Sequence, residues 1–285
     1  MNSKMAWFLG YLLSDGAITH PSYRGKGDET HMQFICKYAD RELMHKVKAI
    51  LGIKAVVHDY SEYKSPQPKI RVYDRRDIID EFSDIKERVP VEAIKGYERD
   101  FIRGCVDGDG TISYRASRNA VRFGFIDEKK EITDWVCDTL VDTLMLPPKA
   151  PRWVPQNNVW EILWEGNLAR LIIWWLYHGD IDDCCLSRKH ELYKKYVLDN
   201  NTFDNQDQEL LYVSHTVLDE RNEIMPIADS NRTLAWCKRI QHLLDVNSTP
   251  VFHNKGTHKY YRLHIKDSDF IANMRDTQLF ELPKA

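Results

Sequence analysis

No two cysteines in this 285-residue chain stand in a Cys-x-x-Cys pair, although six are present. Cys36, Cys105, Cys137, Cys184, Cys185 and Cys237 show no zinc-ligand spacing, which argues against a zinc finger or ribbon. Free thiols in a reducing compartment are the simplest account. Long apolar runs are also missing, and none would span a bilayer. The first helix begins within the first ten residues, which leaves no room for a signal or transit peptide. A cytoplasmic protein without a membrane partner is expected, bacterial or phage-encoded before organellar. Nor is there an excess of charge of one sign: 40 Lys and Arg stand against 43 Asp and Glu, a net charge of −3. That balance speaks against a uniformly basic nucleic-acid binder. It leaves room for a local basic face offset by an acidic surface elsewhere. The length suffices for one large or two modest domains with real cores.

What is present centres on one stretch, Phe101-Ile102-Arg103-Gly104-Cys105-Val106-Asp107-Gly108-Asp109-Gly110. A looser copy stands near the start, Phe8-Leu9-Gly10-Tyr11-Leu12-Leu13-Ser14-Asp15-Gly16. Each reads as a short apolar helix with small residues four apart, Gly10 and Ser14 in one and Gly104 and Gly108 in the other. Residues so spaced share a helix face, and a face of small residues lets two backbones approach closely. Each copy ends in Asp-Gly, where glycine can adopt the left-handed conformation that closes a helix. The Asp then sits at the last turn, where the helix dipole is unfavourable for an anion. Two helices packed in parallel would bring Asp15 and Asp109 together. Such carboxylates raise one another's pKa unless a cation lies between them, which points to a divalent-metal site of hard oxygen ligands.

The stretch Ile102–Gly110 closely resembles the signature helix of LAGLIDADG homing endonucleases, and Phe8–Gly16 resembles it more loosely. The resemblance implies that the last Asp of each copy, Asp15 and Asp109, holds catalytic metal, with Gly16 and Gly110 beside them. The second copy keeps the family's earlier acidic position as Asp107. The first has Leu13 there. That earlier Asp is usually structural in the family.

The chain between the copies repeats. After the first helix come strands near Ala17–His20 and His31–Cys36, with Met32 and Phe34 facing in and His31 and Gln33 facing out. Asp40 is placed to cap a helix running to Leu51, ended by Gly52. Strands near Val56–Tyr60 and Lys69–Tyr73 flank a turn at Ser65-Pro66-Gln67-Pro68. A helix near Asp77–Phe82 follows, then a linker from Lys86 to Tyr97. The order recurs with strands Thr111–Arg115 and Arg122–Ile126, where Phe123 and Phe125 match Met32 and Phe34. A helix Lys130–Leu144, a hairpin Trp153–Trp164 and a helix Leu168–Tyr177 complete it. The fold class read from this is α+β: two pseudo-symmetric αββαββα repeats with antiparallel, saddle-shaped sheets. The boundaries are 1–98 for the first repeat and linker and 99–198 for the second. A polar stretch at 199–208 leads to a ββαββ module over 209–285, a degenerate third repeat or an addition. It is built from strands Tyr212–Leu218, Ile224–Ile227, Pro250–His253 and Tyr260–Ile265 and a helix Asn231–Leu244.

Phosphodiester hydrolysis needs an activated water, neutralised phosphate charge and a stabilised leaving oxygen, all of which divalent ions can supply. Mg²⁺ is expected from oxygen-only ligands, with Mn²⁺ or Ca²⁺ able to substitute in binding. The family also implies a Lys or Gln near the metals from each repeat. Lys37, Arg76 and Lys189 are the candidates, the last within a Leu186-Ser187-Arg188-Lys189 segment that also resembles the family. Two-stranded ribbons fit the major groove and read base edges with outward side chains. Candidates are Arg24, Lys26, His31, Gln33, Lys69, Arg71 and Tyr73 in the first repeat, and Arg115, Arg118, Arg122 and Arg152 in the second. The leading reading is a monomeric, site-specific double-strand DNA endonuclease. A splicing intein is disfavoured: no nucleophile opens the chain, and His253-Asn254 is followed by Lys255. The rival is a non-cleaving binder on the same scaffold, an intron RNA maturase or a DNA-binding regulator.

Overall fold

Asn2 starts the first helix, its side-chain oxygen accepting the Met5 N–H at 2.9 Å, which satisfies one of the N–H groups a helix start leaves open. The helix, α1, runs Ser3–Ser14 and buries every residue from Ala6 to Leu13. A helix apolar all round belongs in the middle of a protein. Its neighbour α4, Glu98–Asp109, buries Phe101–Asp107. The computed structural model describes residues 1–19, 30–60, 67–118, 120–144, 146, 149–179, 181, 184–198, 223–224, 251–255 and 258–264. The chain separates into two compact units, residues 1–139 with 150–200, and residues 140–149 with 201–285.

In the first unit α1 leads directly into β1 (Gly16–Thr19), which pairs with β2 (His31–Ile35). A 3₁₀ turn at Tyr38–Asp40 precedes α2 (Glu42–Leu51), which Gly52 closes in the left-handed region at φ 63°. Then come β3 (His58–Tyr60), β4 (Gln67–Val72) and α3 (Arg76–Glu81). After α4 the elements recur as β5 (Gly110–Arg115), β6 (Ala120–Asp127), α5 (Lys130–Leu144), β7 (Arg152–Val154), β8 (Val159–Glu165) and α6 (Asn167–Tyr177). Both sheets are antiparallel and have the same order, β1-β2-β4-β3 and β5-β6-β8-β7. Their registers match as well. Gly16 pairs with Phe34 and Ile18 with Met32, while Gly110 pairs with Phe125 and Ile112 with Phe123. Met32, Phe34, Phe123 and Phe125 are fully buried. The repeat is thus α+β, with each sheet covering its helices by one face, as alternation along the strands requires.

Three sequence expectations change here. Asp40 does not cap α2: Arg41 holds the cap position without a side-chain bond. The buried Asp40 carboxylate instead accepts two hydrogen bonds from Arg188, at 2.9 and 3.2 Å. Gln67 and Pro68 belong to β4 and not to the preceding turn. Gly16 and Gly110 do not cap their helices in the left-handed conformation. Gly110 is extended at φ −81°, ψ 158°, and Gly16 is not among the positive-φ residues. At both places the chain turns straight from helix into strand, and the glycine is needed for closeness. A Cβ on Gly16 would stand 2.7 Å from the Leu12 carbonyl oxygen, and one on Gly110 2.5 Å from that of Val106.

Beyond α6, α7 (Ser187–Tyr193) continues into a π turn, Lys194–Leu198. The second unit contains β9 (Glu223–Ile224), β10 (Val251–Lys255) and β11 (His258–His264), in the antiparallel order β10-β11-β9. The expected strand at 212–218 and helix at 231–244 lie outside the described residues. No helix among the described residues is long and apolar enough to cross a membrane.

Candidate active site and nucleic-acid interface

The site is built by the contact between α1 and α4. A Cβ on Gly10 would stand 2.9 Å from the Cys105 nitrogen and closer still to the Phe101 carbonyl oxygen. A Cβ on Gly104 would stand 2.8 Å from the Tyr11 nitrogen and closer still to the Trp7 carbonyl oxygen. The glycines therefore sit backbone against backbone, a distance no larger residue allows. One turn further, a Cβ on Gly108 would come 2.6 Å from the Ser14 Cβ and 3.2 Å from the Asp15 nitrogen. The helix ends abut, and Asp15 and Asp109 leave from them.

Both carboxyls are perturbed. Burial, and then the charge of Asp109, push Asp15 up to about 6 against the pull of Lys189 and Lys86. Burial raises Asp109 as well, again opposed by Lys86 and Lys189. The cations that bear on the pair are thus two lysines that follow the last helix of each repeat. Lys86 Nζ donates to the Leu13 carbonyl and, at 2.7 Å, to that of Ser14. Lys189 Nζ donates to the carbonyls of Val106, Asp107 (3.1 Å) and Gly110 (2.7 Å). Each ammonium donates to carbonyls at the C-terminal end of its own repeat's first helix, and Lys189 also to that of Gly110 at the start of β5. The Lys189 side chain is 1% exposed, and burial lowers its pKa to about 8.

Asp107 has a different task. Its Oδ2 accepts Trp7 Nε1 at 2.8 Å and the Leu186 N–H at 2.9 Å, and its Oδ1 accepts the Tyr177 hydroxyl at 2.7 Å. Fully paired and buried, it fastens α1, α6 and the segment before α7 onto α4. The equivalent Leu13 is apolar and buried.

The other nominated residues divide. Lys37 and Arg76 are exposed, one before the 3₁₀ turn and the other opening α3, and neither bears on Asp15 or Asp109. Lys86, in what the sequence marks as linker, was missed. Asp127 ends β6, and burial, followed by the Asp109 charge, raises it to about 6 against the Lys129 N–H it accepts at 2.7 Å. By register, each lying two residues beyond the phenylalanine paired with Gly16 or Gly110, its counterpart is the buried Cys36.

On the sheets, Gln33, Lys69 and Arg71 face away from the core, and Gln33 stands directly opposite Arg71. His31 shares the outer face with Gln33, but it is covered there: it is 3% exposed and its ring lies against Tyr73, with centroids 4.8 Å apart. In the second sheet Arg115, Arg122 and Arg152 are on the outer face, and each is engaged by a glutamate of β8. Arg24 and Lys26 lie outside the described residues, as does the side chain of Arg118.

The donor set suits a particular kind of ion. Among the described residues no three His, Cys, Asp or Glu side chains gather as a ready-made metal cage. Two carboxylates that repel one another fit an ion that takes one or two protein oxygens and completes its shell with water and phosphate, as Mg²⁺ does. The Gly110 carbonyl is already used by Lys189.

No protein-family model matches the chain, and no curated protein matches it in sequence. Solved structures that it is similar to are LAGLIDADG homing endonucleases. One is I-GzeII in complex with its DNA target, at 8% identity and TM-score 0.45 over 71% of this chain and 94% of that one. Another is the meganuclease I-SmaMI bound to uncleaveable DNA, at 8% identity and TM-score 0.46 over 70% and 92%. A third is I-DmoI in complex with DNA and Mn, at 14% identity and TM-score 0.43 over 62% and 98%.

Proposed function

We propose that this protein is a monomeric, site-specific endonuclease that cuts both strands of a long duplex DNA target with Mg²⁺. The observation that carries the reading is the pair Asp15 and Asp109. They stand at the abutting ends of two helices in backbone contact, on the axis of a repeated fold, with the half-buried Lys86 and the buried Lys189 behind them. A divalent ion bound there supplies charge neutralisation of the scissile phosphate and an activated water. Asp15 and Asp109 hold that charge from opposite repeats, so one chain addresses one phosphate on each strand. Lys86 and Lys189 fix the helix ends from which the carboxylates project and offset their repulsion. Burial keeps the arrangement rigid before DNA arrives, which is how a preorganised site lowers a barrier. The two antiparallel sheets present Gln33, Lys69, Arg71, Arg115, Arg122 and Arg152 to the grooves on either side.

The test is a cleavage selection on a randomised duplex library with Mg²⁺, run beside Asp15→Asn, Asp109→Asn and an EDTA control. The reading requires a discrete site cut on both strands and lost in both variants and in EDTA. Tight, sequence-selective binding without cutting would overturn it and favour a non-cleaving binder of DNA or intron RNA.

A further inference from the structure

On the outer face of the second sheet one carboxylate organises two arginines. Glu165, at the end of β8, pairs in register with Arg122 of β6. Its Oε1 accepts Arg122 Nε at 3.1 Å and Arg115 Nη1 at 2.9 Å. Arg115 reaches it from β5, where the residue opposite, Ala120, offers only a methyl group. The two guanidiniums, Arg115 first, hold the Glu165 carboxyl below its usual range. Arg152 is held in the same way by Glu161, directly opposite it, with Nε at 2.6 Å.

The atoms used matter. Arg122 is bound through Nε, and among the described residues nothing takes its two Nη nitrogens. Those form the outer edge of the fork, the edge that matches guanine O6 and N7. Arg122 is also on the inner strand of the sheet, where the ribbon would enter the groove deepest. Its side chain is 33% exposed, against 67% for Arg152. An arginine whose near edge is tied down cannot swing to a phosphate without breaking a charged hydrogen bond. Arg152, held through both Nε and Nη2, has no such open edge.

We infer that Arg122 reads a guanine in the half-site under the second repeat, and that Glu165 is the positioning residue that aims it and keeps Arg122 and Arg115 off non-target phosphates. This rests on the DNA-binding reading above. It makes Glu165 a specificity determinant that works partly by penalising wrong DNA, since a carboxylate close to the backbone repels phosphate.

The experiment is a binding selection with the full chain, using Ca²⁺ in place of Mg²⁺. Its probes are a randomised duplex library and one fixed duplex of unrelated sequence, each titrated at several salt concentrations. Wild type should enrich a guanine at one position under the second repeat. Arg122→Ala should lose that preference about tenfold and leave the other positions as they were. Glu165→Gln should weaken the same preference and bind the unrelated duplex several-fold more tightly, with a salt dependence steeper by about one phosphate contact. Arg122→Lys should keep phosphate affinity and lose the guanine. Uniform weakening at all positions in Arg122→Ala would reduce the residue to a phosphate contact and overturn the inference. So would a Glu165→Gln protein whose preference and unrelated-duplex affinity match wild type. If wild type enriches no duplex at all, the DNA reading itself falls. Both positions are part-exposed, and circular dichroism of each variant separates a folding defect from a binding one.

Discussion

The indole N–H of Trp7 donates to Asp107 Oδ2 at 2.8 Å, a hundred residues away, and this bond joins the two signature helices below the candidate metal site. The same carboxylate takes the Tyr177 hydroxyl and the Leu186 N–H. Asp107→Leu would copy what the first repeat has at Leu13. Here it leaves three buried donors unpaired, and it should cost about 3 kcal/mol or more. Asp107→Asn, which keeps one acceptor oxygen, should recover part of that. Chemical denaturation measures both, and a Leu variant as stable as wild type would show that the network is dispensable.

Gly104→Ala should be among the most damaging single-methyl additions in the chain. The new methyl is driven into the Trp7–Tyr11 backbone of α1, and overpacking of this kind costs about 3 kcal/mol at the upper end of its usual range. Gly52 is the control. It has open space around a Cβ but a left-handed φ of 63°, so Gly52→Ala should cost only about 1–2 kcal/mol. Equal melting temperatures for the two variants would refute close helix contact as the reason for Gly104.

In metal-free protein Asp15 opposes folding when charged. Its folded pKa, about 6, lies above the usual 3.8, so between those values the folded state holds more protons than the unfolded one. Its contribution to stability therefore falls as pH rises from about 4 to 6 and stays low above that. In EDTA at pH 8, Asp15→Asn should be more stable than wild type by about 2 kcal/mol. Added Mg²⁺ should stabilise wild type and leave the variant unmoved. Thermal melts from pH 4 to 8, with and without the ion, check both halves. A variant less stable than wild type in EDTA would contradict the burial of that charge.

Arg188 and Asp40 clamp the end of the second repeat onto the first. Arg188 is half exposed while Asp40 is buried, so the two truncations should differ. Arg188→Ala leaves a buried carboxylate without its cation and should cost about 2 kcal/mol, whereas the double Ala variant should cost less than the sum by about 1 kcal/mol. A double-mutant cycle by denaturation reads the coupling, and zero coupling would make the pair ornamental.

The repeat was legible in the sequence because its parts are local. Glycines four apart, Asp-Gly ends and alternating strands each follow from helix or strand period, and finding them twice in one order made the fold readable. Lys86 was not legible, because nothing near it in sequence marks it. Only folding returns the chain after α3 to the end of α1, where the ammonium meets two open carbonyls. His31 misled for the complementary reason: alternation placed it on the outer face, and only the packed fold covers it there with Tyr73.

By itself, then, the sequence determined two helices able to touch, a carboxylate at the end of each, and sheets with one polar face, since these depend on residue spacing within a few turns. The tertiary structure decided which cations stand behind those carboxylates, that Asp107 is a fastening and not a ligand, and that the arginines of the second sheet are held by Glu161 and Glu165. Those are contacts between residues far apart in the chain, and only the packed fold sets the distances on which charge and hydrogen bonding depend.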